Sequence, residues 1–297
     1  MRQVGFLCER PAWLFAAVLG FLWLTTGWAA QDAPPDKSGY TLFRPTPPEL
    51  MREMSTDRPD KTESSHTVDA GHFQVEMDLV SYTHDHDTHG GADVKTESFS
   101  IAPFNLKVGL LNNLDLQLMF DSFTKVRVKD KVAGTTETES GFGNLATRVK
   151  LNLWGNDGGM TSLAMMPYLS FPTHQHDLAP DGLEGGVIFP IGIELPRGWS
   201  VCPMAEFDCI RNSSSDGSHF EFIGTVTVGH KIYGALDGYI EFFGLVSTER
   251  DARWVGTVDI GFTYGLTENI QLDGGVNIGV TRSADDVNPF LGLSMRF

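Results

Sequence analysis

The stretch "HFQVEMDLVSY", His72–Tyr82, alternates in strict period two. Phe73, Val75, Met77 and Leu79 fall on one face, and Gln74, Glu76 and Asp78 on the other. Successive side chains of an extended strand point to opposite sides, so this segment reads as a strand with one apolar and one polar face. The same pattern returns along the chain. "LDLQLMFDSF" sets Leu114, Leu116, Leu118 and Phe120 against Asp115, Gln117 and Asp121. "NLATRVKLNLW" sets Leu145, Val149, Leu151 and Leu153 against Arg148, Lys150 and Asn152. "NIQLDGGVNIGV" and the final "PFLGLSMRF" repeat it. Seven weaker segments lie around 99–110, 162–171, 187–195, 201–210, 219–228, 239–246 and 254–264, making twelve in all. The second changes phase near Ala102–Pro103, where a bulge is expected.

The connections divide into two classes. Even-numbered links are short: "LLNN", "GNDGG", "PRG", "YGA" and "LTEN". Odd-numbered links are mostly longer and more polar, among them "THDHDTHGGADVKTE", "KDKVAGTTETESG" and "THQHDLAPDGLEGG". Short turns at one end, long loops at the other and an even strand number define an outer-membrane barrel. Hydrocarbon offers no partner for an unpaired N–H or C=O, so a sheet that crosses a membrane must close on itself. The expected fold is therefore all-β: a transmembrane antiparallel up-and-down barrel of about 12 strands. Trp154, Trp199, Tyr233, Tyr264 and Phe297 fall at strand ends on the short-turn side, where an interfacial girdle belongs.

Residues 1–30 read as a signal peptide. Arg2 and Arg10 precede an apolar run from Ala12 to Leu24, and Gly27 and Ala29 flank a plausible cleavage site. That run is short of the roughly 20 apolar residues of a membrane-spanning helix. Residues 31–54 are rich in Pro and polar residues and read as a flexible periplasmic leader, with the barrel domain at 55–297. Net charge is −16, and loss of Arg2, Glu9 and Arg10 with the signal peptide leaves the remainder one unit more acidic. An acidic exported chain is unsuited to nucleic acid, whose phosphates need clustered Lys and Arg. Cys202 and Cys209 lie seven apart in one expected strand and form no disulfide framework.

Strand parity turns eleven acids inward: Glu76, Asp78, Asp115, Asp121, Glu194, Glu206, Asp208, Glu221, Glu241, Asp259 and Asp273. Six bases accompany them: Lys107, Lys125, Arg127, Arg148, Lys150 and Arg296. An acidic lumen favours cations or neutral solutes over anions, although paired charges would also narrow it. Just before the first strand stands the charged box "STDRPDKTES", Ser55–Ser64. It is either a solvated entry segment or a plug that folds into the lumen. A plug would place Asp57, Arg58 and Asp60 in the pore, with Arg58 paired to Glu76 or Asp78.

"TDRPDKTESSHTVDAGHFQVE", "GFGNLATRVKLNLW", "PYLSFPTH" and "LTENIQLDGGVNIGVTRSADD" resemble the family described as Putative MetA-pathway of phenol degradation. The resemblance runs from Ser55 to Phe297, and "TDRPD" followed by "TES" is its most specific part. It implies an outer-membrane barrel that passes small molecules, with aromatic or apolar compounds as suspected cargo. A strand ending on Phe297 likewise resembles the signal read by the barrel-assembly machinery. The expected partners are thus outer-membrane lipid, a small solute and that machinery. The alternative function is a non-transporting structural or metal-capturing envelope barrel.

Two His-rich links supply the metal alternative: His84, His86 and His89 in "YTHDHDTHGG", and His174 and His176 in "THQHD". Imidazole with neighbouring carboxylates suits zinc, copper or nickel, but a flexible loop lacks the outer groups that orient ligands, and a solvated acidic loop with incidental histidines is the simpler account. No nucleophile motif surrounds the serines near His174 or His219, so no enzyme and no cofactor are implied. "GxG" at Gly141–Gly143 opens a strand rather than a helix and is no nucleotide loop.

Overall fold

In a computed structural model, residues 35–176, 178–179, 181–212 and 217–297 are described. The signal-peptide reading of residues 1–30 and Asp177 lie outside them. Seven strand segments come first: β1 (Phe73–Asp87), β2 (Val94–Ile101), β3 (Phe104–Leu111), β4 (Leu114–Phe120), β5 (Phe123–Asp130), β6 (Thr135–Gly141) and β7 (Leu145–Trp154). Eight more follow: β8 (Thr161–Phe171), β9 (Glu184–Leu195), β10 (Trp199–Arg211), β11 (Ser218–Tyr233), β12 (Leu236–Ser247), β13 (Val255–Thr267), β14 (Ile270–Gly279) and β15 (Val287–Arg296). Neighbours pair antiparallel, and β15 returns to β1 from Gln74↔Arg296 to His84↔Val287, closing the sheet.

Fifteen segments make twelve staves. The lower half of β1 pairs with β3 and its upper half with β2, so β2 and β3 are one stave bent at Ala102–Pro103, where Ala102 has a φ of 53°. β4 with β5, and β6 with β7, are likewise single interrupted staves. This bears out the twelve-strand barrel and the expected irregularity in the second strand. The even-numbered links are turns of a few residues, which places that end at the periplasm.

Two expectations need correction. The first and third long links are largely strand: β1 runs on to Asp87, and β5 and β6 reach Asp130 and start again at Thr135. Polar side chains hid the alternation there, but backbone pairing across β1, β2, β5 and β6 needs no apolar face. His84 and His86 therefore sit on a strand. The interruption at Asp121–Ser122 also shifts the phase by one residue, which exchanges the faces. Thr124 bonds Ser100 on the inner side, so Lys125 and Arg127 share the outer face with Phe99 and Phe123. They are not lumen residues.

Burial is inverted relative to a water-soluble protein. Among the described residues, 26 buried side chains are polar or charged and 9 are hydrophobic. Lys107 and Lys150 are the largest of those fully enclosed, while Phe207, Phe242, Phe262, Ile260 and Leu291 stand exposed on the outer wall. Such a wall is stable only against hydrocarbon. Trp154, Trp199, Tyr233, Tyr264 and Phe297 are all exposed near the periplasmic rim, as a girdle requires.

Candidate functional site: a loop clamped inside the barrel

Residues 52–69 leave the periplasmic mouth, enter the lumen and return. The two feet of this loop are tied together. The Arg52 amide donates to Asp69 Oδ2 at 3.0 Å, and its guanidinium donates to the Thr67 carbonyl at 3.1 Å, to Asn112 Oδ1 at 2.9 Å and to Asp157 at 3.0 Å. Lys37 bridges Asp157 at 2.8 Å and Asp69 at 3.4 Å, and Arg296 lies 3.8 Å from Asp69. Burial works against ionised Asp157, but Lys37, Asn112 and Arg52 outweigh it and hold the carboxyl below its usual range. Residues 35–54, expected to be a mobile leader, thus run beneath the barrel with Lys37 and Thr46 buried.

The charged box forms the inner part of the loop. Its two ends meet at Ser55 Oγ and Ser64 Oγ, 2.7 Å apart, and the Ser64 amide donates to Asp57 Oδ1 at 2.9 Å. Between them, each charge finds a different part of the wall. Asp57 accepts from Lys107 and Lys150, both at 2.5 Å, and its amide donates to Glu76 at 3.0 Å. Lys107 also pairs with Glu76. Burial alone would raise the Asp57 pKa, but Lys107, Lys150 and Arg148 hold it well below the usual carboxylate range. Arg58 clamps two strands: Nη1 lies 2.6 Å from Asp78, and Nη2 and Nε meet the two oxygens of Asp273 at 2.7 and 3.3 Å. Its guanidinium also lies over the Phe290 ring, 5.7 Å from the centroid.

The tip reaches the far wall. Lys61 Nζ donates to Thr257 at 2.8 Å and lies 3.2 Å from Asp259, while its amide donates to Glu241 at 2.8 Å. Thr62 donates to Glu241 at 2.5 Å, and Glu63 receives Arg148 at 2.5 Å. The descending limb is held by Ser65 to Ser162 at 2.6 Å and by the Val68 amide to Asp115 at 3.0 Å. Two glycines make the fit possible. A Cβ on Gly292 would stand 2.0 Å from Arg58 Nη2, and one on Gly109 would stand 2.1 Å from the Asp69 carbonyl oxygen.

Of the residues expected at the pore, Glu76, Asp78, Asp115, Arg148, Lys150, Glu241 and Asp273 all touch the loop, and Asp57 and Arg58 touch them in return. Asp60 is half-buried, and burial together with the neighbouring Glu241 carboxylate pushes its pKa up to about 8. Asp121 stands apart, exposed at the break between β4 and β5. The clamp of Lys37, Arg52, Asp69 and Asp157 carries no period-two signal and escaped the sequence reading.

The loop does not fill the bore. Beside it, towards β9 and β10, lies a cavity of about 480 Å³ lined by Glu53, Asp60, Glu63, Glu194 and Cys202. A second, of about 380 Å³, shares Glu53, Asp60, Glu194 and Cys202 and reaches Asp237 and Tyr239. A third, of about 650 Å³, continues from Glu53 and Asp237 to the periplasmic rim at Glu268 and Arg296.

The histidines are not gathered. His86 bonds Asp93 at 2.7 Å, His89 lies 3.3 Å from Arg282, and His174 bonds Asn144 at 2.9 Å. His84 faces outward two residues before His86 on β1, and His176 sits in the loop after β8 with a φ of 56°. Among the described residues, no three His, Cys, Asp or Glu side chains are placed to hold a metal ion.

A closed barrel with an apolar wall and an ion-paired loop in its bore is a transmembrane β-barrel with a plugged lumen. The chain matches the family described as Putative MetA-pathway of phenol degradation over residues 56–297, and it belongs to that family. No curated protein matches it. Among solved structures, the transport unit of the autotransporter AIDA-I from Escherichia coli aligns with a TM-score of 0.52 at 12% identity, covering 82% of this chain and 93% of that one. The NanC porin gives 0.48 at 10% identity, covering 75% and 98%. The CymD monoaromatic hydrocarbon channel gives 0.43 at 8%, covering 76% and 88%. The first likeness is one of fold.

Proposed function

We propose that the protein is a non-enzymatic outer-membrane channel for passive passage of small molecules, with residues 52–69 as its gate. The observation that carries this reading is the space running beside the loop from the periplasmic rim to Asp60 and Glu63, in whose lining seven acids outnumber Arg52, Arg58, Lys231 and Arg296. A purely structural barrel has no need of a connected void beside its filler. The acids lining it favour neutral and cationic solutes.

The lumen wall also supports apolar cargo, in keeping with the family's link to phenol degradation. Met166, Ile188 and Met204 form a buried apolar cluster flanked by Tyr168 and Ile223, and the Glu63 amide of the loop lies 3.3 Å from Met204 Sδ. Movement of the tip would open this patch to the bore, where thioethers and a ring contact aromatic solutes favourably. Swelling of proteoliposomes tests the reading. Phenol-sized neutral solutes should enter faster than into protein-free vesicles, whereas swelling no faster than those vesicles makes the barrel structural.

The structural alternative draws on the number of ion pairs that hold the loop. The seam between Phe73 and Phe297, closed by backbone bonds of 3.1 and 2.8 Å, is where we place recognition of the last strand by the assembly machinery.

A further inference from the structure

The outer face of the wall formed by β1, β2 and β5 carries a feature that the channel reading does not use. Register sets its residues in a grid. Ile101 lies opposite Phe123, then Tyr82, Phe99 and Lys125 form a row, then His84, Glu97 and Arg127, then His86, Lys95 and Lys129. Lys131 follows beside Asp93. Rows are about 6.7 Å apart along the strands and columns about 4.8 Å across them.

Two things distinguish this patch. The chain is strongly acidic, yet five bases collect here on one face. Among the described residues, the acids on that face are Glu97 and Asp93, and both are already engaged. Glu97 lies 3.9 Å from Arg127 and accepts from Tyr82, and Asp93 receives Lys131 at 2.8 Å and His86 at 2.7 Å. Lys95, Lys125 and Lys129 have no acidic partner among the described residues. The patch also has a fixed height. Phe99, Ile101 and Phe123 are exposed apolar residues of the hydrocarbon band, and the bases begin in the row of Phe99 and continue away from the periplasm. Bases at that level face the headgroups of the outer leaflet.

We propose that Lys95, Lys125, Arg127 and Lys129 bind the phosphate groups of a phosphorylated lipid of the outer leaflet, with its acyl chains lying over Phe99, Ile101 and Phe123. Charge complementarity selects this occupant, since phosphate monoesters are strong acceptors and the lysines offer unclaimed donors. Neighbouring cations a few ångströms apart also relieve their mutual repulsion when such an anion binds.

The test uses the full barrel in neutral detergent and native mass spectrometry with three probes: bisphosphorylated lipid A, the same lipid dephosphorylated, and inorganic phosphate as competitor. The phosphorylated lipid should bind at least about tenfold tighter than the dephosphorylated one, and rising salt should weaken it. Substituting Lys95→Gln, Lys125→Gln and Lys129→Gln together should lower affinity by on the order of fivefold per base, while Arg250→Gln with Arg253→Gln should leave it unchanged. Equal binding of the two lipids by the wild-type protein would overturn the proposal, as would displacement of the lipid by millimolar phosphate. The lipid comparison needs no variant, so it stands even if the triple substitution fails to fold.

Discussion

At the scale of single residues, two carboxylates of the loop are tuned in opposite directions. Asp57 sits between Lys107 and Lys150, and its folded pKa is depressed. Its contribution is present above the unfolded value of about 4 and persists until pH falls through the lower folded value. Asp57→Ala leaves Lys150 without its carboxylate, and removing one partner of a buried pair costs about 3 kcal/mol or more. The urea midpoint of the refolded barrel should fall accordingly, and an unchanged midpoint would deny the pair its role. Asp60 behaves the other way. Its folded pKa is raised to about 8, so its contribution to docking is fully present at low pH and is lost as pH rises through that value. Glu241 and Glu63 face it, and an ionised Asp60 would repel both. Conductance should therefore rise as pH climbs from about 4 to about 8, and Asp60→Asn should flatten that rise.

At the scale of elements, the loop's hold depends on how closely backbone and side chain approach. Gly292 on β15 leaves the room in which Arg58 grips Asp273, because a Cβ there would stand 2.0 Å from the guanidinium. Gly292→Val should open the channel about as far as Arg58→Ala does, and the two together should do little more, since both act on one contact. An additive double variant would show that they act separately. Arg58→Lys should not restore closure, because one ammonium cannot reproduce the forked contact with Asp273. The strands themselves were legible wherever one face was apolar: β1, β4, β7, β14 and β15 follow from alternation alone. Where both faces are polar, as in β6 (Thr135–Gly141), or where a break shifts the phase, as before β5, periodicity loses either the strand or its facing. The pairing of Arg58 with Asp78 was within reach, because only five residues of β1 precede that acid at the barrel's entry. The pairing of Arg52 with Asp157 spans 105 residues and has no local signature.

At the scale of the molecule, an apolar exterior and a charged interior make the barrel stable only in a membrane, and the loop occupies part of its bore, the place of the gate we propose. The acids lining the free space should favour K⁺ over Cl⁻ in a salt gradient. Glu194→Gln with Glu53→Gln should move the reversal potential towards zero, and an anion-selective wild-type channel would refute the lumen assignment. Single-channel conductance in planar bilayers tests the central claim most directly. The wild-type protein should show small or infrequent openings, and Arg58→Ala, which frees Asp78 and Asp273, should raise conductance or open probability severalfold. Equal conductance of the two proteins would mean that residues 52–69 are a fixed part of the wall and not a gate.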